Sequence, residues 1–262
     1  MNLSRIFFIA LIAALLFSCG KSEKELAAER LTLAENTYQK GDTTQALQHL
    51  DTLSMKYKGA IETLVKADQF RKKIYGDLFY QAQDEMDSLQ VKLEKLEAKF
   101  VKEKTDFDRY TQYVHKRQQF ERRWDKSFIQ IHLDERGELY ISSNYYGDQW
   151  LEHTGLRVYD QDIQAKTEKV ELDNVLNHRS DFMETKWEKV SYRDGADNGV
   201  IEFIAEHADR NLKAVFLGSR YYYIILEEYD KQAIKDALAL SALLKQKAKL
   251  EKQIQSLQSK VG

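Results

Sequence analysis

The stretch 144–150 combines aromatic rings with amide and carboxylate groups, which is the chemistry of a binding surface. Tyr145, Tyr146 and Trp150 supply rings that stack on sugars or apolar groups at little entropic cost. Asp148 supplies a carboxylate that accepts hydrogen bonds. These four residues could therefore bind a glycan or a peptide, but the favoured interpretation is that the rings cap a core at the end of a strand.

Catalytic and metal-binding patterns are weak by comparison. The histidines after residue 120 lie on separate segments, without the spacing that concentrates metal ligands: His132, His153, His178 and His207. No Gly-x-Ser-x-Gly stretch occurs, and after Cys19 there is no second cysteine to act as a nucleophile. We therefore expect no catalytic site, no metal and no cofactor.

Two carboxylate pairs keep a hydrolase as an alternative. Asp160 and Asp162, or Asp194 and Asp197, could support acid–base chemistry or calcium binding. The second pair stands beside glycines, as turn residues commonly do, and the ligand order of a calcium loop is missing. Turn formation is the favoured interpretation.

Cys19 is the only cysteine, and it follows an apolar run at 6–17 that is preceded by Arg5. A run this short does not span a bilayer, which takes about 20 residues, so it predicts a signal peptide. Leu16, Ser18 and Cys19 resemble the lipobox of bacterial lipoproteins, with a bulkier Phe17 than that pattern prefers. The predicted boundaries are 1–18 for the signal peptide and 19–24 for the acylated cysteine and linker.

The lipobox resemblance implies an anchor. It implies diacylglyceryl transfer to the Cys19 thiol, cleavage before it and N-acylation, so several acyl chains, palmitate among them, would hold the protein in a membrane. Gly20 is not the Asp that resembles an inner-membrane retention signal, so the outer membrane is expected. The periplasmic face and the cell surface both stay open.

Composition narrows the function classes. The formal net charge is −2 and charges of both signs are interspersed, which argues against nucleic acid as a partner. A single cysteine excludes an intramolecular disulfide. Proline is absent, so long uninterrupted helices are allowed.

The segment 25–74 predicts a helical hairpin. Ala34, Tyr38, Gly41, Ala46 and Leu50 occupy positions that resemble one tetratricopeptide unit, with the glycine at the turn. That resemblance implies peptide binding, but a self-standing solenoid needs about three units. A hairpin packed on its neighbours is the favoured interpretation, and a peptide-binding groove is the alternative.

Two heptad patterns predict a coiled-coil stalk, at 75–124 and at 229–262. We expect the two helices to pair antiparallel within one chain, and a homodimer through the coiled coil is the alternative. Glu103 and Lys247 interrupt the two apolar stripes and could form an ion pair that defines the register.

Between these helices, apolar and polar residues alternate with a period of two over 127–226. This pattern predicts a mostly antiparallel β head, either a sandwich or a partly closed barrel. Gly137 is expected in the left-handed position of a hairpin turn. The segment 200–204 is expected to be a strand, and the stretch 160–185 contains no clear pattern.

The segments 198–216, 221–226 and 231–234 resemble uncharacterised lipoproteins of Bacteroides-like bacteria. This resemblance covers the head and the last helix. It implies a location in the cell envelope and assigns no activity to any residue.

These features predict an α+β protein with an N-terminal helical hairpin, an antiparallel coiled-coil stalk and an inserted β head. The expected function is that of a membrane-anchored, non-enzymatic interaction or scaffold lipoprotein with an envelope protein as partner. A glycan- or peptidoglycan-binding lipoprotein and an envelope hydrolase are the alternatives.

Overall fold

A computed structural model describes residues 21–106, 108–120, 126–182 and 184–261. The predicted signal peptide and Cys19 lie outside the described residues. The chain divides into two compact units, one formed by the residues up to Gln83 with those from Gln253, the other by Asp84–Lys252. The fold combines helices with antiparallel sheets, so the α+β class is confirmed.

The first unit begins with two short helices, α1 (Glu23–Gln39) and α2 (Thr43–Lys56). Ser22 accepts from the Glu25 amide and the Glu25 carboxylate accepts from the Ser22 amide, so a capping box fixes the start of α1. Ala34 and Ala46 are fully buried. Two such small residues allow the helix axes to approach closely.

The predicted hairpin 25–74 is shorter than expected, because α2 ends at Lys56 and a third helix begins at Ile61. The break falls at Gly59, whose amide donates to Glu23 Oε1 at 2.8 Å. This third helix, α3 (Ile61–Glu97), therefore starts well before the predicted heptad pattern.

The predicted first stalk helix, 75–124, stops at Glu97 instead of continuing. The chain then forms β1 (Phe100–Glu103) and β2 (Gln112–His115), which pair antiparallel. Both are rich in aromatic and β-branched residues, which favour strands, and their spacing only coincides with a heptad. Residue 107 and residues 121–124, which belong to the predicted helix 75–124, lie outside the described residues.

This change removes the basis of the predicted pair between Glu103 and Lys247. Glu103 lies on a strand that pairs it with Gln112, and not on a helical seam. Lys247 Nζ lies 3.9 Å from Glu251 Oε1, one turn along its own helix.

The remaining elements of the second unit follow in chain order: α4 (Lys116–Phe120), β3 (Phe128–Asp134), β4 (Leu139–Gly147), β5 (Gly155–Asp160), β6 (Ile163–Lys166), β7 (Asn177–Phe182), β8 (Thr185–Tyr192), α5 (Val200–Glu206), β9 (Lys213–Leu217), β10 (Tyr221–Ile225) and α6 (Glu228–Val261). One sheet has the order β1-β2-β3-β4-β8-β7 and the other β10-β9-β5-β6. The first sheet thus begins before the predicted start of the head at residue 127.

One buried apolar cluster contains side chains of both sheets and of α6. It includes Ile131 and Ile141 from the first sheet, Leu156 and Phe216 from the second, and Ala237 from α6. Burial of these side chains is the main stabilising contribution to the unit.

Two local predictions within the head have opposite outcomes. The hairpin between β3 and β4 is confirmed, with Gly137 at a φ of +83°. The predicted strand 200–204 is wrong, because these residues form α5. The buried residues Val200, Ile201 and Ile204 have the spacing of one helix face. A short apolar run of this kind does not by itself distinguish a helix from a strand.

Among the described residues, no helix has both the length and the apolar character needed to cross a membrane.

A buried polar cluster connects α6 to β2. Asp236 Oδ1 accepts from Lys99 Nζ at 2.8 Å, and Asp236 Oδ2 lies 3.2 Å from His115 Nε2. Burial lowers the pKa of His115, and the nearby carboxylate only partly offsets this. Burial raises the pKa of Asp236, but the hydrogen bond from Lys99 and further donors outweigh it, so that pKa is lowered overall.

We predict that the free energy of unfolding decreases as the pH falls below the ordinary His value of 6.5. The unfolded chain binds this proton more readily than the folded one, so protonation favours unfolding. Urea titrations at pH 8 and pH 5 should show a smaller loss for His115→Gln, which keeps a donor and an acceptor without titrating. An equal loss in the parent and the variant would contradict this assignment.

Candidate functional site

The predicted binding cluster is divided between the two faces of β4. Tyr145 is 3 % exposed. Its ring contacts the edge of Tyr222 at 5.1 Å between centroids, and its hydroxyl donates to the Gln149 carbonyl at 3.0 Å. Tyr145 is therefore a core residue whose ring faces away from any external ligand.

Tyr146 points to the opposite face of the sheet and is half-buried. It pairs across strands with Trp187, with ring centroids 6.4 Å apart, and His178 lies 5.5 Å from the same Trp187 ring. We call Tyr146, Trp187 and His178 the aromatic strip. Sequence reasoning missed Trp187 and His178 because the neighbour relation of β4, β8 and β7 is not encoded in local spacing.

Trp150 and Asp148 lie on the turn after β4. Trp150 is half-buried with Lys186 Nζ 5.3 Å from its ring centroid, and Lys186 is paired with Asp181. Asp148 is exposed. The four predicted residues therefore do not form one surface.

The carboxylate pairs of the hydrolase alternative have structural neighbours. Asp160 Oδ2 lies 3.1 Å from Arg210 Nε and forms an ion pair with it. Asp194 has a positive φ of 54°, and Asp197 precedes a turn in which its carbonyl accepts from Val200. In the part of the chain that the structure describes, no three His, Cys, Asp or Glu side chains are grouped to hold a metal.

The structure does assemble one arrangement with the order of a catalytic relay. Ser143 Oγ lies 2.8 Å from His153 Nε2, and His153 Nδ1 lies 2.7 Å from Glu188 Oε2. A nucleophile, a base and an orienting carboxylate in this spatial order form the catalytic triad of serine hydrolases. Nothing in the local sequence brings together β4, the turn before β5 and β8, so this cluster was not predicted.

We call Ser143, His153, Glu188 and Tyr192 the buried relay, and each of the four is 0 % exposed. The Tyr192 hydroxyl lies 3.0 Å from Ser143 Oγ, so that oxygen already has two partners. A substrate has no route to the hydroxyl in this conformation. The nucleophile and the base are close together, but a substrate cannot reach them.

Glu188 is the most heavily bonded member of the buried relay. Its Oε1 accepts from the amides of Leu151 and Glu152 at 2.6 and 2.8 Å, and its Oε2 accepts from the His153 amide at 3.0 Å. Burial raises the pKa of the Glu188 carboxyl, but hydrogen bonds from the His153 ring and these amides outweigh it and lower the pKa overall. A carboxylate can only accept, so the His153 Nδ1 carries the hydrogen.

A polar cleft of about 530 Å³ lies near the β3–β4 turn. The Arg136 guanidinium lies 3.7 Å from the Tyr110 ring centroid. Its Nε and Nη2 both donate to Asp134 Oδ2. Further along, Tyr140 is stacked between His132, at 4.4 Å between centroids, and the Arg193 guanidinium, at 4.0 Å from its centroid.

Guanidinium and phenol groups line the cleft together with the carboxylates of Asp108, Asp134, Glu138 and Asp194. We call the arginines and tyrosines the Arg–Tyr patch: Arg109, Tyr110, Arg136, Tyr140 and Arg193. Their stacking restricts the side chains before any partner binds. Local sequence patterns contain no signal for this patch, since its members come from separate strands and turns.

We predict that Glu188→Gln destabilises the protein by about 2–6 kcal/mol, because the new NH2 group leaves two of the buried donors without an acceptor, at about 1–3 kcal/mol each. The amide cannot accept from all four donors that surround the carboxylate. Urea unfolding measures the loss, and exposed Glu168→Gln is the matched control with an expected change of at most about 0.5 kcal/mol. Equal stability of the two variants would show that the carboxylate is dispensable.

Comparison with protein-family models, with curated proteins and with solved structures finds no match for this chain. No activity or partner is therefore carried over from a relative. Any function has to be inferred from the geometry of the buried relay, the aromatic strip and the Arg–Tyr patch.

Proposed function

We propose that this chain is a membrane-anchored envelope lipoprotein that acts as a non-enzymatic interaction or scaffold protein. Acylated Cys19 would tether it to the outer membrane, and the β-rich unit would bind an envelope protein. The tetratricopeptide-like pair α1–α2 offers a second surface for such a partner.

The observation that carries this proposal is the Arg–Tyr patch. Tyr and Arg are the residue types enriched at energetic hot spots of protein interfaces. Here the Tyr140 ring is already held between His132 and Arg193, so little side-chain freedom remains to be lost on binding. A preorganised surface of aromatic rings and charges of both signs favours a protein partner.

The burial of the Ser143 hydroxyl supports a non-enzymatic function. The serine, histidine and carboxylate of the buried relay are enclosed in the core, where Glu188 bonds the His153 ring and Tyr192 bonds Ser143. Such a network stabilises a structure without needing a substrate.

The proposal includes the coiled-coil stalk, which would form by antiparallel pairing of α3 and α6. Within the second unit, Leu89 and Leu93 of α3 share a buried cluster with Leu250 of α6. Within the first unit, Lys260 Nζ of α6 lies 4.9 Å from the Tyr75 ring centroid of α3. A residue near the start of α3 is therefore close to a residue near the end of α6, as antiparallel pairing requires. Pairing of these helices between two copies of the chain is the alternative.

Glycan binding is the second candidate, and the aromatic strip favours it. Tyr146, Trp187 and His178 lie side by side on three adjacent strands. Rings arranged across a sheet face can stack on a sugar chain.

For the anchor, we predict that Cys19→Ser abolishes incorporation of an alkyne-tagged fatty acid and releases the protein from the membrane fraction. The serine hydroxyl cannot accept the diacylglyceryl group as the thiol does. Ser18→Ala keeps a small residue before the cysteine and should behave as the parent. A Cys19→Ser protein that still incorporates the label would contradict the anchor.

For the Arg–Tyr patch, we predict that a photocrosslinking amino acid at exposed Arg109 captures a discrete protein in intact envelopes. The matched control carries the same amino acid at Val175, which is 95 % exposed on the same unit. Arg193→Ala, which removes one side of the Tyr140 stack, should reduce the yield several-fold.

Equal crosslinking at Arg109 and Val175 would contradict the patch. Quenching of tryptophan fluorescence by polysaccharide, lost in Tyr146→Ala and in Trp187→Ala, would instead favour the glycan candidate. Incorporation of the fatty-acid label reports the anchor alone, so failure of the anchor is recognised separately from failure of the patch.

A further inference from the structure

We propose that β10 pairs with β10 of a second copy of this chain, antiparallel and centred on Tyr223. This pairing would extend the four-stranded sheet across a two-fold axis. It is independent of the Arg–Tyr patch and differs from a dimer formed through the long helices.

The first observation is that β10 is an open edge. Among the strands that the structure describes, β10 pairs with β9 alone. The segment 221–225 contains none of the lysines, acidic residues or prolines that commonly protect a sheet edge.

The second observation is the direction of the backbone groups. The Leu226 amide donates to the Leu212 carbonyl at 2.9 Å, so this pair is a hydrogen-bonded one. The Leu217 carbonyl instead accepts from Thr154, away from β10. Alternation along an antiparallel pair then directs the amides and carbonyls of Tyr221, Tyr223 and Ile225 to the open edge.

The third observation is the exposure of the side chains at those same positions. Tyr221, Tyr223 and Ile225 are 75 %, 63 % and 59 % exposed. Tyr222, between them, packs on Tyr145 and Phe216. An edge that offers both free backbone groups and large apolar side chains is a template for strand addition.

A second copy fits this edge because the edge is complementary to itself. With Tyr223 opposite Tyr223 of the second copy, Tyr221 lies opposite Ile225 of the second copy. All of these positions direct their backbone groups outward, so each opposing pair exchanges two hydrogen bonds. Aromatic–aromatic and aromatic–β-branched pairs are also favourable cross-strand neighbours.

Charge selects the antiparallel direction. Arg220 stands immediately before β10, and Glu227 and Glu228 follow it, all three exposed. Antiparallel pairing brings Arg220 of each copy near the glutamates of the other. Parallel pairing would place like charges together, which is unfavourable.

Disulfide trapping in intact envelopes tests the register. In a hydrogen-bonded antiparallel pair the Cα atoms lie about 5.5 Å apart, which is within the range of a disulfide. Tyr223→Cys should therefore give a covalent dimer of the full chain under mild oxidation. The parent chain, whose only cysteine is Cys19, and exposed Val175→Cys are the controls and should give no covalent dimer.

A shifted pair tests the same register while leaving Tyr223 in place. Tyr221→Cys alone should not form a disulfide-linked dimer, because the two cysteines would be offset by four residues, or about 13 Å. Tyr221→Cys co-expressed with tagged Ile225→Cys should form the mixed dimer. Absence of both the Tyr223→Cys dimer and the mixed dimer, equal yields at Val175→Cys, or linkage to a different protein would overturn the proposal.

Discussion

The Glu188 carboxylate is the constraint on which the β-rich unit depends. It comes from β8 of the six-stranded sheet, yet it binds the amides of residues 151–153, which lead into β5 of the four-stranded sheet. A fully buried carboxylate is stable only when its acceptor positions are filled. The position of that turn, and so the junction between the sheets, is fixed by this requirement.

The same turn also holds the β9–β10 hairpin. The Leu151 carbonyl accepts from the Ser219 amide and hydroxyl at 2.9 and 3.0 Å. A Cβ on Gly218 would lie 2.1 Å from that carbonyl, so only glycine permits the close approach. The carboxylate therefore sets, through one turn, where the open edge strand β10 lies.

Helix α6 is placed on this framework by polar contacts as well as by its apolar stripe. Asp236 binds Lys99 and His115, and Ser241 Oγ donates to the Gly137 carbonyl at 2.6 Å. The heptad pattern at 229–262 predicted this stripe, which includes the fully buried Ala233, Ala237 and Leu240. It did not predict the polar contacts, because their partners lie more than a hundred positions away.

Local patterns predicted the elements whose causes are local, such as the Gly137 turn and the long helix that ends the chain. They failed at Phe100–Glu103 and Gln112–His115, where strand-forming residues coincide with heptad spacing and sheet pairing decides. The buried relay and the Arg–Tyr patch were out of reach for the same reason. Each is assembled by the order of strands, which no single segment specifies.

Native-state hydrogen exchange at the amides of Glu152 and His153 tests most directly whether the buried relay is structural. We predict that both amides exchange only through global unfolding, with an exchange free energy equal to that from urea unfolding. Exchange through a local opening several kcal/mol below the global value would contradict this. Ser143 would then be reached by solvent in the folded protein, and a catalytic function for the relay would have to be reconsidered.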